Sequence, residues 1–404
     1  MVDFRILEPG KAAVPFIARV ILAVLASSLA AAAAAQPIRI AVDAEFGIPS
    51  STSAQAIHHG ALIAAAEIND AGGVLGRKLE IVRRDNRGVP ARALNNLREL
   101  AADPNVVALL CGKYSPVAVE LLPEIHRLKM PMLDPWAAAD VIVDNGYSPN
   151  YVFRLSLRDS WAMRAMLQYA SRRGVSAVGI LLPNTEWGRS NLRAAEGNPS
   201  PGNPSIVAVE WYNWGDASLV ARYHSLRSAG AAAIVLVANE GEGATLVNEL
   251  AALPADQLLP VVAHWGITGG QFFAMTQPAL QKIDLAVVQT VSFLGRSDPA
   301  TRRVLARLKT MTGSDDPRQV ASPVGVAHAY DLVHLVARAI RQAATTDRAA
   351  VRNALERLGP YSGLTGQFPV PFTATRHEAL NASSLFMARF AADGAIVRLP
   401  AASR

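Results

Sequence analysis

From Ile38 onward, short apolar runs alternate with longer stretches in which apolar positions recur every three or four residues. Ile38–Val42 reads as a buried strand, and Ala54–Asn69 as a helix with Ile57, Ala61, Ala65 and Ile68 on one face. Gly72 and Gly73 end that helix, because glycine accepts the left-handed conformation at a helix C-terminus. Leu79–Arg83 and Val106–Leu110 are the next strands, separated by a helix that Pro90 opens and that carries Leu94, Leu97 and Leu100. Ser115-Pro116 predicts another helix, with Ser115 as N-cap and Pro116 in the first turn, where its missing N–H costs nothing.

The rhythm continues through strands at Met130–Leu133, Tyr151–Leu155, Val178–Leu182, Ile206–Tyr212, Ala233–Ala238 and Pro260–Ala263. Helices are expected between them, one with Met163, Met166, Leu167 and Ala170 on a common face, others at Leu219–Ala229 and Ala244–Leu253. Strands joined through helices form parallel sheets covered on both faces. So many units exceed one comfortable sheet, so the fold class is α/β with two lobes. Glu196–Ser205 reads as a turn-rich loop, since the alternation resumes directly after it.

The N-terminus follows a different rule. Arg5, Lys11 and Arg19 precede an apolar run, Val20–Leu29, and a block of alanines ending before Gln36. That is the pattern of a secretory signal peptide spanning residues 1–36. A membrane anchor fits less well: Val20–Ala35 is sixteen residues, half of them alanine, against about 20 strongly apolar residues for a spanning helix. The expected location is therefore periplasmic. Cys111 is the only cysteine, so no intramolecular disulfide is available and stability rests on buried apolar surface.

Candidate chemistry is sparse. The formal charge is +6, and +5 once the three basic and two acidic residues of the signal are removed. The cations are scattered, with no basic stripe or recognition motif for nucleic acid. There is no nucleophile elbow and no phosphate loop, and Gly241 and Gly243 make only a fragment of a dinucleotide fingerprint. His58-His59 are adjacent, and His328 and His334 stand six apart, so neither pair reads as a metal site. No catalytic residue, cofactor or metal is assigned, and the chain is read as non-enzymatic.

Ligands of open parallel α/β sheets sit beyond the carboxyl ends of the strands, near helix N-termini suited to a carboxylate. The loops expected there contain Ser115, Trp136, Trp187, Trp265 and Thr268, and three tryptophans in such loops point to a pocket wall.

Gly60-Ala61-Leu62, the run Glu67-Ile68-Asn69-Asp70-Ala71-Gly72-Gly73-Val74-Leu75-Gly76-Arg77-Lys78, Asp85, Asn145-Gly146-Tyr147, Val152-Phe153-Arg154, Glu186-Trp187-Gly188 and Ala329-Tyr330-Asp331 follow one another in a specific order and spacing. In this the chain resembles the type I periplasmic binding proteins of the branched-chain amino-acid (Leu/Ile/Val) family. The resemblance implies two Rossmann-like lobes joined by three crossover segments, about 37–157 plus 290–358 and 158–289 plus 359–404. It implies a substrate-binding component of an ABC importer whose partners are a small solute and an inner-membrane permease. A periplasmic sensor of the same fold, partnering a membrane signalling receptor, is the alternative.

By the same resemblance, Ser115 matches a serine that holds a ligand carboxylate, and Trp136-Ala137-Ala138 matches a loop that helps it. Ala138 lacks the hydroxyl of the family's threonine. Trp265 stands where the family has an acid for the ligand amine, and Asn239 where it has a tyrosine. Indole neutralises nothing, so a small organic acid, aromatic in the simplest case, is expected ahead of an amino acid. Asp43, Glu45, Glu240 or Glu242 are the candidates to replace the missing counter-charge. On export, the mature chain should begin near Gln36. N-terminal sequencing of a periplasmic extract checks this, and an intact Met1 on a membrane-bound product would contradict it.

Overall fold

A computed structural model describes residues 36–197 and 202–400. The expected signal peptide and the centre of the Glu196–Ser205 loop lie outside the described residues.

The first sheet holds β1 (Ile38–Ala44), β2 (Leu79–Asp85), β3 (Val106–Cys111), β4 (Met132–Asp134) and β5 (Val152–Arg154), in the order β2-β1-β3-β4-β5 and parallel throughout. Between them run α1 (Ser53–Asp70), α2 (Pro90–Ala102) and α3 (Ser115–Arg127). Its central strand β3 is buried along its whole length, as a continuous apolar run requires.

The second sheet is built from α4 (Asp159–Arg172), β6 (Ala177–Pro183), α5 (Glu186–Glu196), β7 (Ser205–Tyr212), α6 (Val220–Ser228), β8 (Ala233–Leu236), α7 (Glu240–Leu250), β9 (Val261–Ala263), α8 (Phe272–Thr276) and β10 (Leu285–Gln289). Later in the chain come α9 (Pro299–Thr312), α10 (Pro323–Ala343), α11 (Arg348–Leu355), a small pair β11 (Tyr361–Ser362) and β12 (Gln367–Phe368), and the hairpin β13 (Phe386–Phe390) and β14 (Ile396–Arg398). The strand order is β14-β13-β10-β9-β8-β6-β7. To the parallel strands expected from the sequence the structure adds β13 and β14, which are antiparallel. They are joined by a tight turn at Gly394, at φ +87°, which needs no crossover helix.

Both faces of each sheet are covered. In the first lobe α2 and α3 pack on one face, and α1 and α10 on the other. Gly60 lets α1 lie directly on α10: a Cβ there would come within 2.1 Å of the Val326 carbonyl oxygen. In the second lobe α4 and α5 cover one face while α6 and α7 cover the other.

The expected return to the second lobe at 359 is early. Asp331 of α10 accepts from Tyr361 Oη, Leu364 N and Thr365 N, each at 2.7 Å. Phe372 packs edge-on against Phe153 of β5 at 5.1 Å. Next, Arg154 N donates to His377 O at 2.8 Å and Ala379 N to Arg154 O at 2.9 Å, so the returning chain runs beside β5 as one more edge. The amphipathic rhythm carried no sign of this, because the segment is irregular and its polar and aromatic contacts are with residues far away in sequence.

Gly60→Ala should therefore force α1 off α10 and cost about 1–3 kcal/mol, the usual range for overpacking. Thermal unfolding checks it against Gly359→Ala, where an added Cβ meets open space.

Candidate functional site

Six loops at the carboxyl ends of parallel strands converge between the lobes. From the first lobe come Lys113, Tyr114 and Ser115 after β3, and Trp136 and Ala138 after β4; from the second come Trp187, Trp214, Asn239, Trp265 and Gly266. All six residues expected at the site, Ser115, Trp136, Ala138, Trp187, Asn239 and Trp265, line this one chamber. Its free volume is only about 10 Å³, about the room that one water needs. An outer cleft of about 350 Å³ adjoins it, sharing Tyr114, Trp214 and Asn239 and adding Arg87, Glu240 and Glu242.

The walls are aromatic. Trp136 of the first lobe meets Trp265 of the second, with ring centroids 5.4 Å apart at 41°. Tyr114 and Trp214 make a second pair across the lobes at 5.1 Å. Trp265 is buried against Trp136 and His328, so it is at once core and wall. His328 Nδ1 donates to Pro135 O (2.8 Å), its Nε2 accepts from Thr290 Oγ1 (3.1 Å), and burial lowers its pKa to about 4. A neutral imidazole thus supports the Trp136 loop from behind.

Trp187 is fixed at its polar end. Its Nε1 donates to Asp159 Oδ1 at 3.1 Å, and Asp159 N donates to Ala138 O at 2.9 Å, so one residue anchors both the indole and the opposing loop. His264 Nε2 lies 3.2 Å from the same carboxylate oxygen, and its ring stands edge-on to Trp187 at 5.1 Å. Close approach here depends on missing side chains. A Cβ at Gly188 would lie 1.9 Å from Pro183 O, and one at Gly266 would lie 2.4 Å from Ala238 O and 2.6 Å from Trp187 Cη2.

Ser115 does not cap its helix. The N-cap is Tyr114, with no side-chain cap, and Ser115 is already the first helical residue. Its Oγ instead accepts from Ala138 N at 3.1 Å and Ala139 N at 3.2 Å, tying the end of β3 to the loop after β4. The sequence rule placed the hydroxyl one residue too far back, because Pro116 is tolerated at the second helical position as well as the first. With both lone pairs engaged, Ser115 Oγ can still donate its proton.

Each of the four carboxylates considered as counter-charges already accepts hydrogen bonds, although Glu45 Oε2 is buried without a partner and Glu240 pairs with Lys113 of the chamber lining. Asp43 accepts from Asn86 (3.0 Å) and Asn96 (2.7 Å), and burial raises its pKa to about 6. Glu45 accepts from Ser51 and Ser53. Glu240 binds Lys113 Nζ at 2.6 Å and Ser50 Oγ at 3.2 Å, and Glu242 accepts from Gly215 N in the outer cleft. Among the described residues lining the inner chamber, none is acidic.

The model of one protein family, described as periplasmic binding protein, matches residues 37–395. This chain belongs to that family. The binding protein is 24% identical over 327 residues to the leucine-, isoleucine-, valine-, threonine- and alanine-binding protein of Pseudomonas aeruginosa, covering 80% of this chain and 83% of that one. Its fold matches a type 1 periplasmic binding protein from Bordetella pertussis with a TM-score of 0.81 at 21% identity, over 91% of this chain and all of that one. A solute-binding protein of an ABC transporter from R. palustris, solved in complex with benzoate, matches with a TM-score of 0.73 at 16% identity, over 91% and 97% of the two chains. The two-lobe α/β fold and the Leu/Ile/Val family resemblance read from the motifs are thereby borne out.

Lys113, Tyr114 and Trp214 escaped the sequence reading. The first two directly precede Ser115, in a loop already placed at the cleft. Trp214 follows β7 and precedes a glycine, the same strand-end signal that marked Trp265. Ser115→Ala should leave the Ala138 and Ala139 N–H groups unpaired in the interior and destabilise the binding protein by about 1–3 kcal/mol. Chemical denaturation measures this. Ser115→Thr, which keeps the acceptor, should lose less.

Proposed function

We propose that this binding protein carries a small, flat, carboxylate-bearing solute between its lobes and delivers it to an ABC permease in the inner membrane. The observation that carries the reading is the inner chamber: among the described residues, four indoles line it and no acidic group does. A ligand ammonium placed there would gain about 0.5–2 kcal/mol from cation–π attraction against several kcal/mol for losing water without a counter-charge. An aromatic acid has the opposite balance. Its ring can pack on Trp136 and Trp265, adding about 0.5–1.5 kcal/mol beyond area burial, and its carboxylate meets the Ser115 hydroxyl. The benzoate-bound neighbour supports this reading by showing that the same two-lobe fold accommodates an aromatic acid.

Access requires movement. Thr52 N donates to Gly269 O at 2.9 Å and Gln271 N to Ser50 O at 2.8 Å, so the lobes meet directly at one margin of the cleft. With so little free volume in the chamber, a solute enters only as the lobes or the facing indoles part. The position of one lobe relative to the other then reports occupancy, the signal a permease can read. Binding rather than turnover is the role, and a hydrolase substrate panel should show no activity.

Calorimetric titration tests the ligand class. Benzoate or a related simple acid should bind at micromolar or tighter Kd, and leucine should not. Micromolar leucine binding with no response to simple acids would overturn the reading.

A further inference from the structure

We infer that Lys113 is a specificity-determining residue of the cleft, the cation whose free N–H donates a charge-assisted hydrogen bond to a ligand carboxylate. This rests on the carboxylate reading above and gives it a charge that the family-like residues cannot supply. Ser115 Oγ is occupied as an acceptor by Ala138 N and Ala139 N, and Trp136 N is committed to Asp134 Oδ1 at 2.9 Å. The loop after β4 therefore has these backbone donors turned to its own framework. What remains at that end is a hydroxyl proton, and a hydroxyl carries no charge to set against a buried carboxylate.

Lys113 has that charge in the right place. Its side chain is only 1% exposed, and it is the one cationic residue among the described residues lining the chamber. The position where a Gly269 Cβ would stand lies 3.4 Å from both Lys113 Nζ and Trp136 Cζ2, so the ammonium sits at the edge of the tryptophan wall. Nζ donates to Glu240 Oε2 at 2.6 Å and to Gly269 O at 3.3 Å. An ammonium has three N–H donors, so one remains for a ligand oxygen.

Glu240 lies on the other lobe and lines the outer cleft, not the inner chamber. The pair keeps a buried cation compensated, while Lys113 belongs to the chamber and Glu240 to its approach. A carboxylate bound beside Ser115 would share Lys113 with Glu240. A neutral isostere would gain nothing from it. Lys113 thus makes the site select acids over amides, a discrimination that aromatic walls alone do not provide.

Titration of benzoate and benzamide into the mature wild-type chain, Lys113→Met and the double variant Lys113→Met with Glu240→Gln tests this. The double variant removes both charges, so no buried carboxylate is left unpaired to unfold the protein. Circular dichroism and thermal unfolding confirm that each variant is folded. In both variants benzoate affinity should fall about tenfold or more while benzamide affinity changes by less than about threefold, as expected for loss of a hydrogen bond to a charged group. Equal weakening of benzoate and benzamide would make Lys113 an interlobe latch and overturn the inference. So would unchanged benzoate binding in the double variant, although the carboxylate reading itself would stand. A wild-type chain that binds no simple acid removes that reading and this inference together.

Discussion

Arg154 carries a full charge in a place without water, and the arrangement of the cleft follows from the way that charge is satisfied. The side chain is completely buried at the end of β5. A lone guanidinium there would be prohibitively expensive, so every available donor must find an acceptor. Glu378 takes Nε at 2.9 Å and Nη2 at 2.6 Å, while the carbonyls of Ala137 and Ala139 take Nη1 at 3.3 and 2.9 Å. Asp134 stands 3.9 Å away, its own pKa raised to about 7 by burial in spite of the nearby cation. One side chain thereby ties together the end of β5, the returning segment around 378 and the loop that presents Trp136 and Ala138.

That loop is held from every side by groups distant in sequence. Arg154 fixes its carbonyls, Ser115 fixes two of its N–H groups, and Asp159 N takes the Ala138 carbonyl from the second lobe. A wall pinned in this way can stack against Trp265 without being pushed aside, so the tryptophans are positioned by polar bonds rather than by their own contact. The same economy explains Trp187, whose indole N–H donates to the Asp159 carboxylate, with the His264 ring edge-on beside it. Apolar surface supplies the wall, and the hydrogen bonds decide where it stands.

Much of the architecture is readable in the chain because two lobes of alternating strands and helices leave a periodic imprint. A continuous apolar run such as Val106–Cys111 has one good solution, the middle of a parallel sheet, and helices with a single apolar face must cover it. The strand-end loops are where such sheets place ligands, so Ser115, Trp136, Trp187 and Trp265 could be assigned to one cleft by topology, and the family resemblance added Ala138 and Asn239. Periodicity fails at the irregular segment 359–379, whose place is fixed by Asp331, Phe153 and Arg154, far away along the chain.

The sequence alone therefore determined the class of fold and the set of loops that meet between the lobes. Both depend on local pattern and on residue type at a strand end, whereas the expectation of an acid at Trp265 came from the family resemblance. Tertiary structure decided the partners. That Ser115 serves the loop after β4 instead of its own helix, that Lys113 reaches Glu240 across the cleft, and that Asp43 is held by Asn86 and Asn96 are facts about residues brought together by long-range packing. Hydrogen bonds and charge pairs are satisfied over a few ångströms in space whatever the separation in sequence, and only the folded chain sets those distances.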